Sequence, residues 1–296
     1  MSLTKKSSGI SWQFSDQNDG SFFVEDANHL PVLYFPLMNS KGMKSFVTPV
    51  LKGDVCKDFN HYLTTPTVTE EIHRTLSSRN FWLKVDDLKP WSATGQSVFQ
   101  KASHWNGAID GYSVAAKIGS FTTKRKQELS GIEVEITTVV PEVDDFVELL
   151  KIRVLNTSAQ SRKINPYYAL PLYGRSADNF RDHRQVTTMF QENYIEDFGV
   201  RIKPRIKHDE SCHSVNHTNY AVLAFDENGT KPEKIWARLK DFIGHSGTLD
   251  NPEAIYKDLT PPKLNAKIFF LITSASLTIL PNPSGCNGRD TIIEDK

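Results

Sequence analysis

Four stretches hold side chains that could do chemistry. Asp58 to Pro66 gathers Asp58, Asn60, His61 and Tyr62 where no core pattern runs. Loops of this kind hold binding residues more often than average. The plain alternative is an Asx-turn with a solvent-facing histidine. Ser77 to Gly95 carries Arg79, Trp82 and Trp91. Sugars have apolar ring faces that stack on indoles and hydroxyls that suit Arg and Asn donors. Against that, both tryptophans could be core or sheet-edge aromatics. Gly174 to Arg184 holds three arginines, two aspartates and a histidine. Guanidiniums pair bidentately with phosphates or with carboxylates, so the stretch reads as an anion site or as an Arg–Asp network locking a strand corner. His208, Asp209, Cys212, His213 and His217 form the one metal-like cluster. Asn216 and the strand-like Tyr220 to Phe225 place it in a loop entering a strand, and no Cys-x-x-Cys partner exists. No metal is expected.

Other chemistries lack their signatures. There is no phosphate-cradling Gly-rich loop, dinucleotide fingerprint or nucleophile elbow, so no cofactor is expected. A mutarotase needs an acid and a base on opposite sides of a sugar ring, and no spacing here pairs them. Lys+Arg and Asp+Glu are each 35 in 296 residues. Zero net charge argues against a nucleic-acid or polybasic membrane surface. The three cysteines, Cys56, Cys212 and Cys286, are widely spaced and odd in number. With no apolar core after Met1, they fit free thiols in a reducing cytoplasm. Ile268 to Leu280 is too short to span a bilayer and reads as a strand.

The elements that must position these groups are short strands. Phe81, Leu83 and Val85 alternate with Trp82, Lys84 and Asp86; Ile132, Val134 and Ile136 alternate with polar partners. That is the period of a half-buried strand. Phe146 to Leu155 has apolar residues on both faces and reads as more central. Pro166 and Pro171 confine Ile164 to Tyr173 to an edge or bulge. Asp197-Phe198-Gly199 and Asn228-Gly229 are turns, the latter a hairpin signal. Val68 to Leu76 could be a short helix capped by Thr67 or Thr69. No long 3.6 period appears between Leu76 and Lys240, and Lys234 to Phe242 reads as a strand. The expectation is an all-β chain, a large antiparallel β-sandwich with few short helices. Residues 1–21 form a flexible arm with an early strand near Trp12, 22–280 the sandwich, and 281–296 a loose tail.

Arg79-Asn80-Phe81-Trp82 followed by Pro90-Trp91-Ser92-Ala93-Thr94-Gly95 resembles the N-terminal domain of the inverting glycoside phosphorylases. That family (glycoside hydrolase family 94) acts on cellobiose, cellodextrin, chitobiose and 1,2-β-oligoglucans. Tyr34-Phe35-Pro36-Leu37-Met38-Asn39, Thr48-Pro49, Gly53-Asp54, Asn60-His61 and Leu63-Thr64-Thr65-Pro66 are similar to the family's opening. Gly174 to Arg184 is similar to a later signature. The match keeps its order from about Phe22 to Leu249. It implies a galactose-mutarotase-like supersandwich. It also implies that the proton donor for phosphorolysis sits in a separate α/α barrel, with phosphate replacing water in an inverting displacement. The chain is therefore expected to be a non-catalytic part, or truncated relative, of such an enzyme. The implied partners are a gluco-oligosaccharide or sugar phosphate, the barrel domain and a second copy in a homodimer. By the same resemblance Asp58, Asn60, His61, Arg79 and Trp91 lie nearest sugar. Arg175, Asp178, Arg181 and His183 support them. A stand-alone mutarotase or epimerase and a purely structural module remain the alternatives.

Overall fold

The computed structural model describes residues 10, 12–16, 18–30, 32–107, 110–181, 189–208, 213–245, 247–262, 268–269, 275–279 and 291–295. The first strands are β1 (Trp12–Phe14), β2 (Phe22–Val24), β3 (Phe35–Met38), β4 (Lys44–Val47), β5 (Val55–Asp58), β6 (His61–Tyr62), β7 (Asn80–Val85) and β8 (Trp91–Ser92). Helix α1 (Val98–Trp105) precedes β9 (Gly111–Lys117), β10 (Ser120–Gln127), β11 (Ile132–Val139), β12 (Leu149–Asn156) and β13 (Ile164–Pro171). Helix α2 (Ala177–Arg181) leads to β14 (Gln191–Glu196), β15 (Gly199–Pro204), β16 (Ile206–His208), β17 (His213–Val215), β18 (Tyr220–Asp226) and β19 (Lys234–Ile235). Helices α3 (Leu239–Ile243) and α4 (Glu253–Tyr256) precede β20 (Ile268–Phe269), β21 (Ala275–Ile279) and β22 (Thr291–Asp295).

All ladders among the described residues are antiparallel. An eleven-stranded sheet runs β1-β2-β9-β10-β11-β12-β22-β18-β15-β14-β20. A five-stranded sheet, β19-β21-β13-β7-β8, packs on one half of it. Between them lie Phe81, Leu83, Tyr168 and Leu170 from one sheet and Ile132, Ile136, Ile152 and Val222 from the other. A four-stranded sheet, β3-β4-β5-β6, covers the other half through Leu37, Val47, Val55, Val114 and Phe121. Each such apolar side chain contributes about 1.5–3 kcal/mol on burial. The opposite face of the five-stranded sheet is also covered: Trp82 and Tyr167 pack on Trp236, Phe242 and Ile255, the last two from α3 and α4. That is why β7 is buried on both faces while β11 alternates buried and half-buried. The all-β sandwich expected from the sequence is what forms.

Several local expectations are corrected. Strand β12 starts only at Leu149 and is central in its sheet, yet just one face, Leu150, Ile152 and Val154, is buried. Strand β13 is not an edge. It pairs with β7 and β21, and its prolines sit where only one side is bonded: Pro166 precedes the first β21 partner and Pro171 follows the last β7 partner. Each missing N–H is thereby tolerated. Asn228-Gly229 makes a turn, but β18 and β19 lie in different sheets, so no hairpin follows. Lys234 to Phe242 changes from strand β19 to helix α3. Thr69–Glu71 is a single 3-10 turn with no side-chain cap. Instead of a wholly loose tail, the last residues supply β22 between β12 and β18. Helix α1 went unread; Ser97 caps it by accepting from the Gln100 backbone N–H at 3.1 Å. Among the described residues no helix is long and apolar enough to cross a membrane.

Candidate functional site

The β5–β6 hairpin turns at Phe59-Asn60, and one carboxylate shapes the turn. Asp58 Oδ1 accepts the Asn60 backbone N–H at 2.8 Å and a hydrogen bond from His61 Nδ1 at 2.7 Å. Burial pushes the Asp58 carboxyl up, but the His61 and Asn60 hydrogen bonds outweigh it and hold it below its ordinary range. An ionised carboxylate only accepts, so Nδ1 carries a proton and the ring is held with Nε2 turned away from Asp58. The hairpin is anchored from beneath. Tyr62 N–H donates to Arg175 O at 2.9 Å, and Ala177 N–H donates to Phe59 O at 2.9 Å.

Beside the hairpin lies a cleft of about 770 Å³. Its walls are the β4–β6 layer, the segment 141–149 and the entry to β18. Lys57, His61, Asp145, Phe146, Glu148 and Tyr220 are its chemically distinctive lining residues. Lys57 Nζ stands 4.0 Å from the centre of the Phe146 ring, and that ring is 46% exposed. Tyr220 is 7% exposed, and its hydroxyl is sealed from solvent beside the Asn216 side chain. Burial, the largest influence, pushes its phenol well above the ordinary range, so it stays a proton donor. Cys56, at the same wall, is a buried free thiol pushed up to about 11, chiefly by burial. It is poorly suited to nucleophilic work at neutral pH.

The site residues expected from the sequence separate into two groups. Asp58, Asn60 and His61 come together on the hairpin, with His61 on the cleft. Arg79 and Trp91 do not join them. Arg79 is 0% exposed and spends its donors on Glu148, Ser45 and Gly53. Trp91 is 3% exposed within the main core. Neither offers a face to a ring: the spacing that suggested a sugar platform is that of β7 and β8 turned inward. Arg175 is buried, with donors on Gln191 and Asn179 and its guanidinium 5.1 Å from the Tyr173 ring centre. Asp178 is buried at the start of α2 and Arg181 is exposed at its end. His183 lies outside the described residues, as do Asp209 and Cys212 of the metal-like cluster. Among the described residues no group of three metal-ligating side chains converges.

Sequence reasoning passed over Tyr220, Phe146, Asp145 and Lys57. Tyr220 opens an ordinary alternating strand, and Phe146 follows a turn, so neither carries a local signal. Only the fold brings residues near 57, 146 and 220 to one wall. No curated protein matches the chain. The family model of the glycosyl hydrolase 94 supersandwich domain matches residues 57–267, spanning the hairpin turn, the 141–149 segment and β18. With the fold and most of the chain accounted for in this way, the protein belongs to the glycosyl hydrolase 94 family through its supersandwich domain.

Proposed function

We propose that this chain is a non-catalytic, carbohydrate-associated domain of a cytoplasmic inverting glycoside phosphorylase. In this reading it packs on an α/α-barrel domain, supports the substrate cleft and takes part in a homodimer. One observation carries the proposal beyond family membership. Inverting phosphorolysis needs a carboxylic acid held protonated at the glycosidic oxygen. The carboxylates of the cleft and of the adjoining hairpin turn are not arranged for that. Glu148 is locked in an ion pair with Arg79. Asp58 is held ionised by His61 and Asn60. Asp145 is exposed to water. The test is direct: the chain with phosphate and β-glucosides should release no sugar phosphate. Release above a buffer blank, abolished by heating, overturns the reading.

A second reading, a mutarotase-like enzyme, has one observation in its favour. His61, held by Asp58, and Tyr220, side chains of the types that exchange protons, line the same cleft. Polarimetry of fresh α-glucose or α-galactose separates the two. An accelerated rotation change, lost in His61→Ala, favours the enzyme; an unchanged rate favours the non-catalytic domain.

A further inference from the structure

We propose that this domain accepts an extended peptide strand from a partner protein, in a slot of the eleven-stranded sheet between the entries of β12 and β18. The register of β22 defines the slot. That strand runs between the two, antiparallel to both: residues 151–154 of β12 pair with 294–291, and 224–226 of β18 pair with 295–293. Strand β18, however, begins at Tyr220 and β12 at Leu149. Both walls therefore go on past the last described pairing with β22. Strands that flank a common neighbour stand about 9.5 Å apart, which is room for one strand between them.

The facing edges of both walls carry backbone donors and acceptors. In an antiparallel ladder one residue bonds to one side and the next residue to the other. Ala224 N–H donates to Phe198 O at 2.8 Å, toward β15. The Val222 carbonyl lies against Gly199 of β15. Ala221 and Leu223 thus turn their N–H and C=O groups the other way, into the slot. Carried across β22, the same alternation turns Leu150 and Glu148 toward it from the β12 side. Ala221 and Glu148 both line the cleft of about 770 Å³, so the two walls face each other across open space. Among the described residues no turn or loop bond takes up the Ala221 or Glu148 backbone. Paired open edges of this kind are templates for strand addition.

The lining sets the chemistry of the partner strand. Side chains alternate between the two faces of a sheet. On the inner face Leu150, Val222 and Ala224 are buried, and Met43, Val55 and Leu63 floor the cleft. Alternate residues of the incoming strand should therefore be apolar. On the outer rim Asp144 and Asp145 are exposed. Asp144 pairs with Lys41, whereas Asp145 lines the cleft with no ion pair among the described residues. A basic residue at an outward position would meet it.

Hydrogen exchange read by NMR on the whole chain tests the slot, with the peptide acetyl-Lys-Val-Thr-Val-Lys-Val-amide as probe. Saturating peptide should slow the Ala221, Leu223 and Glu148 amides about tenfold or more. Val222, already bonded to β15, should change much less. The same peptide N-methylated at its two central residues should slow none of them. Ala221→Pro deletes an N–H that only the incoming strand uses, so the chain should still fold and peptide protection at Leu223 should be lost. Val222→Pro deletes a bond to β15 and should lower the unfolding midpoint far more. The slot is overturned if the peptide slows no amide, or if it protects another edge such as β1 instead. It is equally overturned if Ala221 is as protected as Val222 without peptide, or if the N-methylated peptide binds as well as its parent. Should Ala221→Pro fail to fold, the N-methylated peptide carries the test on the unaltered chain. None of these outcomes involves a sugar, so failure of the slot is distinct from failure of the carbohydrate-associated reading.

Discussion

Arg79 and Glu148 form a bidentate ion pair withdrawn from solvent. Arg79 Nε donates to Glu148 Oε2 at 2.8 Å and its Nη2 to Oε1 at 2.7 Å. Arg79 directly precedes β7, Glu148 directly precedes β12, and Ser45 of β4 hydrogen-bonds both. Three sheets therefore meet at one charge pair at the back of the cleft. Removing one partner leaves the other charge buried and unpaired. Arg79→Met should cost about 3–5 kcal/mol, whereas replacing the pair with apolar residues of similar volume is often near neutral. Urea denaturation should show Arg79→Met and Glu148→Leu each strongly destabilising, with the double variant costing much less than their sum. A simple sum would mean that the charges act independently.

Gly95 closes the stretch that starts at Arg79, and Arg125 lies against it. The residue has φ +73°, and a Cβ there would sit 2.6 Å from Arg125 Nη2. Arg125 cannot easily yield. Its Nε donates to Ala93 O at 3.2 Å, and its guanidinium carbon is 3.7 Å from the Tyr112 ring centre. Gly95→Ala should therefore cost about 2–4 kcal/mol, left-handed backbone strain plus overpacking. Gly229 has nearly the same φ, +74°, but open space around it. Gly229→Ala should cost only the strain, about 1–2 kcal/mol. Thermal unfolding of the two variants separates the two causes.

The sheets were legible where one face is wet. β11 alternates in sequence as it does in burial, and the two-residue turn at Asp197-Phe198 joins β14 to β15 as read. Where both faces are covered, alternation carries less: Trp82 points to the α3–α4 side and Trp91 into the main core, and nothing local says that neither meets solvent. The prolines of β13 misled because edge and centre differ by which side bonds at each residue, a property of the partner strands. Helix α1 had a readable signal, Ser97 with Gln100 three residues on, the N-cap pattern. Of the site, the Asp58–His61 half was local and visible. The Phe146 and Tyr220 half exists only because distant segments share a wall.

The Asp58 carboxylate makes hairpin stability depend on pH with a defined sign. Its folded-state pKa lies below the ordinary 3.8. The unfolded chain therefore takes up the proton first as pH falls. The stabilisation is complete above the ordinary carboxylate range, falls as pH drops towards the folded value, and is gone below it. Carbon-detected NMR of the side-chain carboxyl should show Asp58 titrating below pH 3.8. Asp58→Asn should be less stable than the parent at neutral pH, and the two denaturation curves should converge in acid. Curves that stay parallel would assign the hydrogen bonds no net charge contribution.

The inward position of Trp91 can be read by its fluorescence. Of the five tryptophans, Trp105 is 91% exposed and Trp12 36%, while Trp82, Trp91 and Trp236 are at most 3% exposed. Acrylamide should therefore quench the parent partially, with Trp105 dominating the accessible fraction. A Trp105→Phe/Trp12→Phe variant keeps only the three buried indoles and should resist quenching until the chain unfolds. Trp91→Phe removes part of a filled core site and should cost about 1–3 kcal/mol. Quenching of the double variant as strong as that of the parent would instead place an indole at the surface and return Trp91 to the sugar-contacting role that its place in the Pro90 to Gly95 stretch suggested.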